Sequence, residues 1–345
     1  MSGQEPIESG EAQEVQPWEP QRMLRRISEL EAALSRGFLR CRPEKWFPGL
    51  STQWMPVAHA FGCEIAVTDI KPVLAEPPSS DAAFVGVVSG EEMTLVLDAD
   101  SSSAMLGEAL PGTDGFAASV AQEYLMRRLF YSLVTSWTGP EISSVSFRGR
   151  LASQPVRTAG SVKVTCSLNT SQVVIWFGLG ERMLATLDGL WRRQVQSTAR
   201  AGAGSSQIRL EVAQLGVPPQ MLSDYLKPGT VIDLEVRASD MLTVRAGGKA
   251  WMPGRMVNVN GKLGCEIVPG AVAAPSVAEG TTRLSIELGN LPVEGSQIAE
   301  FGQVGAVIVT GTPIGQEVVL SINQEPVGRA RLCVYEGRFA IEVIP

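Results

Sequence analysis

The sequence predicts an α+β domain followed by two small all-β domains that pack into one another. Three observations lead there. Between about residues 57 and 197 an apolar hairpin followed by a helical stretch occurs twice. Residues 198–206 are small and polar, with nothing large to bury. Residues 207–268 then align with 282–345 without a gap.

Taken in order, residues 1–20 carry Glu5, Glu8, Glu11, Glu14 and Glu19 with Pro6, Pro17 and Pro20, and are expected to be disordered. Met23, Leu24, Ile27, Leu30 and Leu34 form one stripe at the helical period, so a helix is predicted over 21–36, stopped by Gly37. It opens an α+β domain spanning 21–197. In that domain Ala83–Val88 and Met93–Leu97 read as a hairpin, followed by helices near 101–110 and 114–136. Val162–Leu168 and Gln172–Phe177 flank Asn169-Thr170-Ser171 as a second hairpin, followed by a helix near 180–196. Helices packed on one antiparallel sheet are the expected outcome.

The linker 198–206 leads to the first small domain (207–268), and a Pro/Gly/Ala-rich linker at 269–281 leads to the second (282–345). The two domains match at a constant offset of 76, with Glu211 against Glu287, Leu215 against Leu291 and Tyr225 against Phe301. Alternating apolar positions persist at that offset: Ile208/Leu210/Val212 against Leu284/Ile286/Leu288, and Leu263/Cys265/Ile267 against Phe339/Ile341/Val343. Period two means strands with one buried face. A domain of about 60 residues buries too little surface to be more than marginally stable alone. The repeats are therefore expected to share a core, with each other or with another copy.

Composition narrows the function. A net charge of −7 without a basic stripe argues against nucleic acid as a partner. No run approaches the roughly 18 apolar residues of a membrane helix, and the acidic N-terminus is unlike a signal peptide, so a cytoplasmic protein without membrane insertion is expected. Cys41, Cys63, Cys166, Cys265 and Cys333 lack metal-ligand or redox spacing and read as buried thiols. His59 is the only histidine, which removes His-based triads and two-His metal sites; between Ala58 and Ala60 it reads as a packed side chain. There is no Gly-x-x-x-x-Gly-Lys loop, and Gly178-Leu179-Gly180 lacks the third glycine of a dinucleotide fingerprint. No catalytic, cofactor-binding or metal-ligating residue is predicted.

The segments Leu284–Gly289, Gly305–Val309, Val318–Asn323, Gly328–Val334 and Gly337–Val343 resemble the C-terminal domain of the flagellar switch proteins, also called the surface-presentation-of-antigens domain. The resemblance covers 282–345 well and 207–268 more loosely. It implies small β-domains whose strands exchange. Two of them behind a larger domain resemble the type III secretion cytoplasmic ring, or sorting-platform, subunit of injectisomes, a virulence scaffold peripheral to the inner-membrane base. The resemblance implies as partners a second copy or a short C-terminal isoform, the regulator of the export ATPase and through it the ATPase, an adaptor to the base, and chaperone–effector complexes. Met252 and Met256 are candidate internal starts for the isoform. The run Leu332-Cys333-Val334-Tyr335 is apolar at successive positions, so one parity is expected to face outward and dock the ATPase regulator; the first repeat has Asn258 where the second has Val334. The alternative, both parities buried in the intertwined pair, stays open. A flagellar rotor protein is the second reading. The two hairpin-helix units of the α+β domain resemble the middle domain of the flagellar switch proteins and the related phosphatases of response regulators; a phosphatase is remote, because its Glu and Asn stand three apart, whereas Glu123 is followed by Met126 and Glu181 by Leu184.

Overall fold

The computed structural model describes residues 15–40, 59, 62–136, 144–151, 157–198, 205–272 and 278–345. The chain divides into two units, one of residues 37–194 and one that joins 1–36 to 195–345. The N-terminal segment thus belongs with the repeats, and the α+β domain begins at 37 rather than 21.

That segment also differs from the predicted single helix. It comprises β1 (Gln16–Pro17), α1 (Pro20–Met23), β2 (Arg25–Ile27) and α2 (Glu29–Leu34). Leu24 is extended, with ψ 138°. Arg25–Ile27 pairs with a strand of the first repeat, so ladder hydrogen bonds replace helical ones. Ser28 restarts the helix, its hydroxyl accepting from the Glu31 amide at 3.0 Å. Of the apolar stripe, Leu24, Ile27 and Leu34 are buried while Met23 and Leu30 face solvent. Residues 15–20, expected to be disordered, hold β1 and the buried Trp18; residues 1–14 lie outside the described residues, as do Cys41, residues 199–204 of the first linker and 273–277 of the second.

The unit 37–194 holds β3 (Ile65–Val73), β4 (Ala82–Val88), β5 (Glu91–Leu97), α3 (Ala99–Ala109), α4 (Gly115–Ser136), β6 (Val145–Arg150), β7 (Gly160–Leu168), β8 (Ser171–Leu179) and α5 (Glu181–Thr198), the last running just past its end. Its sheet runs β3-β7-β8-β5-β4-β6, antiparallel throughout. The two predicted hairpins meet along β5 and β8, from Thr94↔Gly178 to Leu97↔Ile175. The first closes on Ser89-Gly90 with φ of 50° and 83°, the tight turn that suits strand twist. Helix α3 packs on β5 and β8, and α4 on β4 and β6. Asp98 caps α3 through the Ser101 amide at 2.7 Å. At the other end of α3, Glu108 accepts from Ser171 Oγ (2.7 Å), Asn169 Nδ2 (2.9 Å) and Thr170 Oγ1 (3.1 Å). Those bonds, Ser171 first, hold its carboxyl below the ordinary carboxylate value and pin the second hairpin turn.

The C-terminal repeats supply β9 (Ser205–Val217), α6 (Leu222–Tyr225), β10 (Val231–Arg237), β11 (Met241–Ala246), β12 (Lys249–Val259) and β13 (Lys262–Ile267), then β14 (Thr282–Glu294), α7 (Gly295–Phe301), β15 (Val307–Pro313), β16 (Glu317–Ile322), β17 (Glu325–Tyr335) and β18 (Arg338–Ile344). At the offset read from the sequence, β10, β11 and β12 coincide with β15, β16 and β17. The strand order is β10-β18-β17-β16-β14-β9-β11-β12-β13-β15, which reads the same from either end once repeats are interchanged. β10 of the first repeat pairs with β18 of the second, and β15 of the second with β13 of the first. The repeats are therefore intertwined, and a single core takes Ile208, Leu210 and Met256 from one and Leu284, Ile286 and Leu332 from the other. The marginal size of each repeat explains why.

Candidate functional site

The predicted docking run lies at the C-terminal end of β17, where hydrogen-bonding partners change. On one side β18 runs the full length, with Leu332↔Ile341, Cys333↔Ala340, Val334↔Phe339 and Tyr335↔Arg338. On the other side β16 reaches only to Arg331, opposite Glu317. The vacated edge is taken by β1, with Pro17↔Cys333 and Gln16↔Val334. Trp18, 2% exposed, then turns into the core and meets the Phe339 ring edge-on at 5.8 Å. Its carbonyl accepts from Gln316 Nε2 at 2.8 Å.

The first repeat repeats this arrangement. The counterparts of Cys333 and Val334 are Val257 and Asn258, and there β2 lies alongside, with Val257↔Arg25, Asn258↔Arg26 and Val259↔Ile27. β1 is antiparallel to its strand and β2 parallel to its own. One strap crossing a pseudo-two-fold must do this, because symmetry reverses the strands while the strap keeps its direction. The N-terminal segment thus clasps equivalent edges of both repeats in turn. Ile27 and Ala32 extend the clasp into a small apolar cluster with Val257, Val259 and Val307. Nothing in the local sequence marks this role except the isolated Trp18.

These contacts reduce the predicted surface. Leu332 and Cys333 are buried, and the Cys333 thiol donates to the Ala340 carbonyl at 3.2 Å. Burial pushes that thiol up to about 11, with Glu342 adding to the effect. Val334 and Tyr335 are half-buried and are the members of the run that reach solvent. Outward apolar parity is thus expressed at Tyr335 but not at the buried Cys333, where the strap pairs alongside at Pro17. Met256 is fully buried in β12 and Met252 half-buried against the same core. His59, read as packed, is exposed. Cys63, Cys166 and Cys265 are buried thiols, and burial raises Cys166 to about 12. Among the described residues no group of His, Cys, Asp and Glu is arranged to hold a metal ion.

A charged cluster that the sequence reading did not single out occupies the centre of the repeat pair. β9 and β14 run antiparallel there, and Glu211 stands opposite Glu287. Both are buried, at 3% and 5% exposure. Arg245 Nη1 lies 3.2 Å from Glu211 Oε1, and Arg209 Nη1 lies 3.0 Å from Glu287 Oε1. Gln214 Nε2 donates to Glu211 Oε2 at 2.9 Å and reaches Ser285 Oγ at 3.2 Å. Arg209 also donates to Gln207 Oε1 at 2.8 Å. Burial raises the Glu211 carboxyl above its ordinary value even though Arg245 and the hydrogen bonds pull it down. The matched Glu211 and Glu287 were visible as one identity of the repeat; their arginines, at non-matching positions, were not.

Residues 207–269 and 279–344 each match the family described as type III flagellar switch regulator (C-ring), FliN C-term. Among solved structures, the FliM middle domain from H. pylori is similar at 15% identity and a TM-score of 0.31, over 48% of this chain and 99% of that one. A chain of the FliM–SpeE complex from H. pylori is similar at 13% identity and a TM-score of 0.32, over 48% and 97%. No curated protein matches the chain.

Proposed function

We propose that this chain, which carries two tandem domains of the FliN C-terminal family of C-ring proteins, is a scaffold subunit of the cytoplasmic ring beneath a type III secretion apparatus. In that role it links the secretion base, through an adaptor, to the export ATPase and its regulator, and helps recruit chaperone–effector complexes. The observation that carries the reading is the intertwined pair: one chain contains both halves of an association module. It works at the cytoplasmic side of the inner membrane without inserting; among the described residues no helix is long and apolar enough to cross.

The deciding experiment is co-purification of the tagged full chain from its own cells. Recovery of the export ATPase and its regulator, without flagellar stator components, is expected; the reverse pattern would establish the flagellar rotor reading, which the same domain family supports. The regulator is proposed to dock at Val334 and Tyr335, beside the strap. Tyr335→Asp should lose most of the regulator while leaving the melting curve within about 1 kcal/mol of wild type, as a solvent-reaching interface residue does. Unchanged recovery would end that assignment. Cys333→Asp is unsuitable, since a buried charge there breaks the fold.

Internal starts at Met252 or Met256 remain part of the proposal. Such a product loses β10, which lies against β18, and must find a substitute strand from another copy. A C-terminal tag should then show a short band that disappears when both codons are changed to Leu, and a single full-length band in wild type refutes it.

A further inference from the structure

The two guanidinium groups at the seam occupy equivalent places in the two halves. Arg245 bonds Glu211 and, at 2.7 Å, the carbonyl of Gly248. Arg209 bonds Glu287 and, at 2.8 Å, the carbonyl of Gln324. Glu287 and Gln324 are the offset-76 counterparts of Glu211 and Gly248. Delivery, however, is one-sided. The counterparts of Arg209 and Arg245 are Ser285 and Ser321. Both arginines come from the first repeat, one within its own half from β11 and the other across the seam from β9.

We propose that this asymmetry is a pairing code: the seam closes on one first repeat and one second repeat, and disfavours like with like. Two second repeats joined the same way would place two Glu287 side chains face to face among serines, with no cation. Two first repeats would surround two glutamates with four arginines, and Arg245 of one would converge with Arg209 of the other on the same Gly248 carbonyl. The mixed pair alone balances charge. Like charges directly opposite on an antiparallel ladder destabilise it, and a buried carboxylate stripped of its partner is strongly unfavourable. The partner this surface fits is a repeat bearing Glu with serine at both arginine positions. That is the second repeat of the same chain, or that of another copy exchanged across the 269–281 connection.

Two full-length variants test the code. R209S/R245S leaves the seam with no cation; S285R/S321R gives it four. Each alone should melt about 5 °C or more below wild type. Co-expressed with different tags, they can exchange repeats so that both seams become neutral. The tagged S285R/S321R chain should then capture the R209S/R245S chain as a 1:1 complex, well beyond what tagged wild type captures. Equal capture by wild type, or none, overturns the proposal. If neither variant accumulates alone, recovery of both together supports the code and continued loss of both refutes it. The charge-free chain R209S/R245S/E211Q/E287Q separates charge from packing: it should melt close to wild type, and a fall as deep as that of R209S/R245S would show that lost arginine packing, not charge, is responsible, which sinks the code.

Discussion

Trp18→Ala is expected to lower the stability of the unit formed by the N-terminal segment and the repeats by about 3–5 kcal/mol, the range for emptying a buried large aromatic site. Trp18 is 2% exposed, although only the short β1 and α1 hold its flanks. It joins the same core as Leu24 and Phe339, so its loss opens a cavity in the shared core. The Gln316 side-chain amide keeps its acceptor, since it donates to the main-chain carbonyl of residue 18, so the loss is one of packing. β1 is a two-residue strand and cannot hold the edge without that anchor. Hydrogen exchange at the amides of Cys333–Tyr335 should therefore speed up in the variant well before global unfolding. A melting curve within about 1 kcal/mol of wild type would show the strap to be dispensable. The same reasoning applies to a fragment of residues 207–345. It keeps the intertwined strands but lacks the clasp, and should be less stable than one that retains residues 15–36.

What the sequence made legible follows from where the physics is local. The repeat was readable because alternation survives substitution: Leu263/Cys265/Ile267 and Phe339/Ile341/Val343 all turn inward in β13 and β18. The need for a shared core followed from size. Which strand lies beside which did not, since a buried face in β10 looks the same whether its neighbour is β13 or β18. The N-terminal segment misled for a different reason. A helical stripe of five apolar residues was present, but tertiary pairing at Arg25–Ile27 overrode it and left Met23 and Leu30 outside. The docking run shows both effects: its apolar character was local and visible, whereas the strap that pairs with Cys333 arrives from more than three hundred residues away in sequence. The edge strands β3 and β6 escaped notice because Lys71, Pro72 and Arg148 interrupt the apolar alternation, as edge strands require.

In the unit 37–194 the largest effect is expected where α4 meets the sheet. Gly86 is the one position of β4 whose missing side chain makes room for Phe130: a Cβ there would overlap the Phe130 ring. Phe130 is fully buried and packs against Phe147 at 5.9 Å, and Phe147 in turn stacks on Phe84 at 6.2 Å. Glycine in mid-strand is otherwise unfavourable; here it permits the close approach of Phe130, beside the register shift between β4 and β6 at Val85/Gly86. Gly86→Val should destabilise this unit by about 3 kcal/mol, because the ring lies under the helix backbone and has little room to retreat. Phe130→Ala should cost about 3–5 kcal/mol through the cavity it leaves. The two changes are complementary in volume, so the double variant should be more stable than the sum of the single losses predicts, by about 1 kcal/mol or more. Denaturation followed by hydrogen exchange at β4 and β5 reads this unit apart from the repeats, whose amides should keep their wild-type protection in all three variants. Strict additivity of the two substitutions would mean that Gly86 is not the seat of Phe130, and that the aromatic ring is held by α4 and β6 alone.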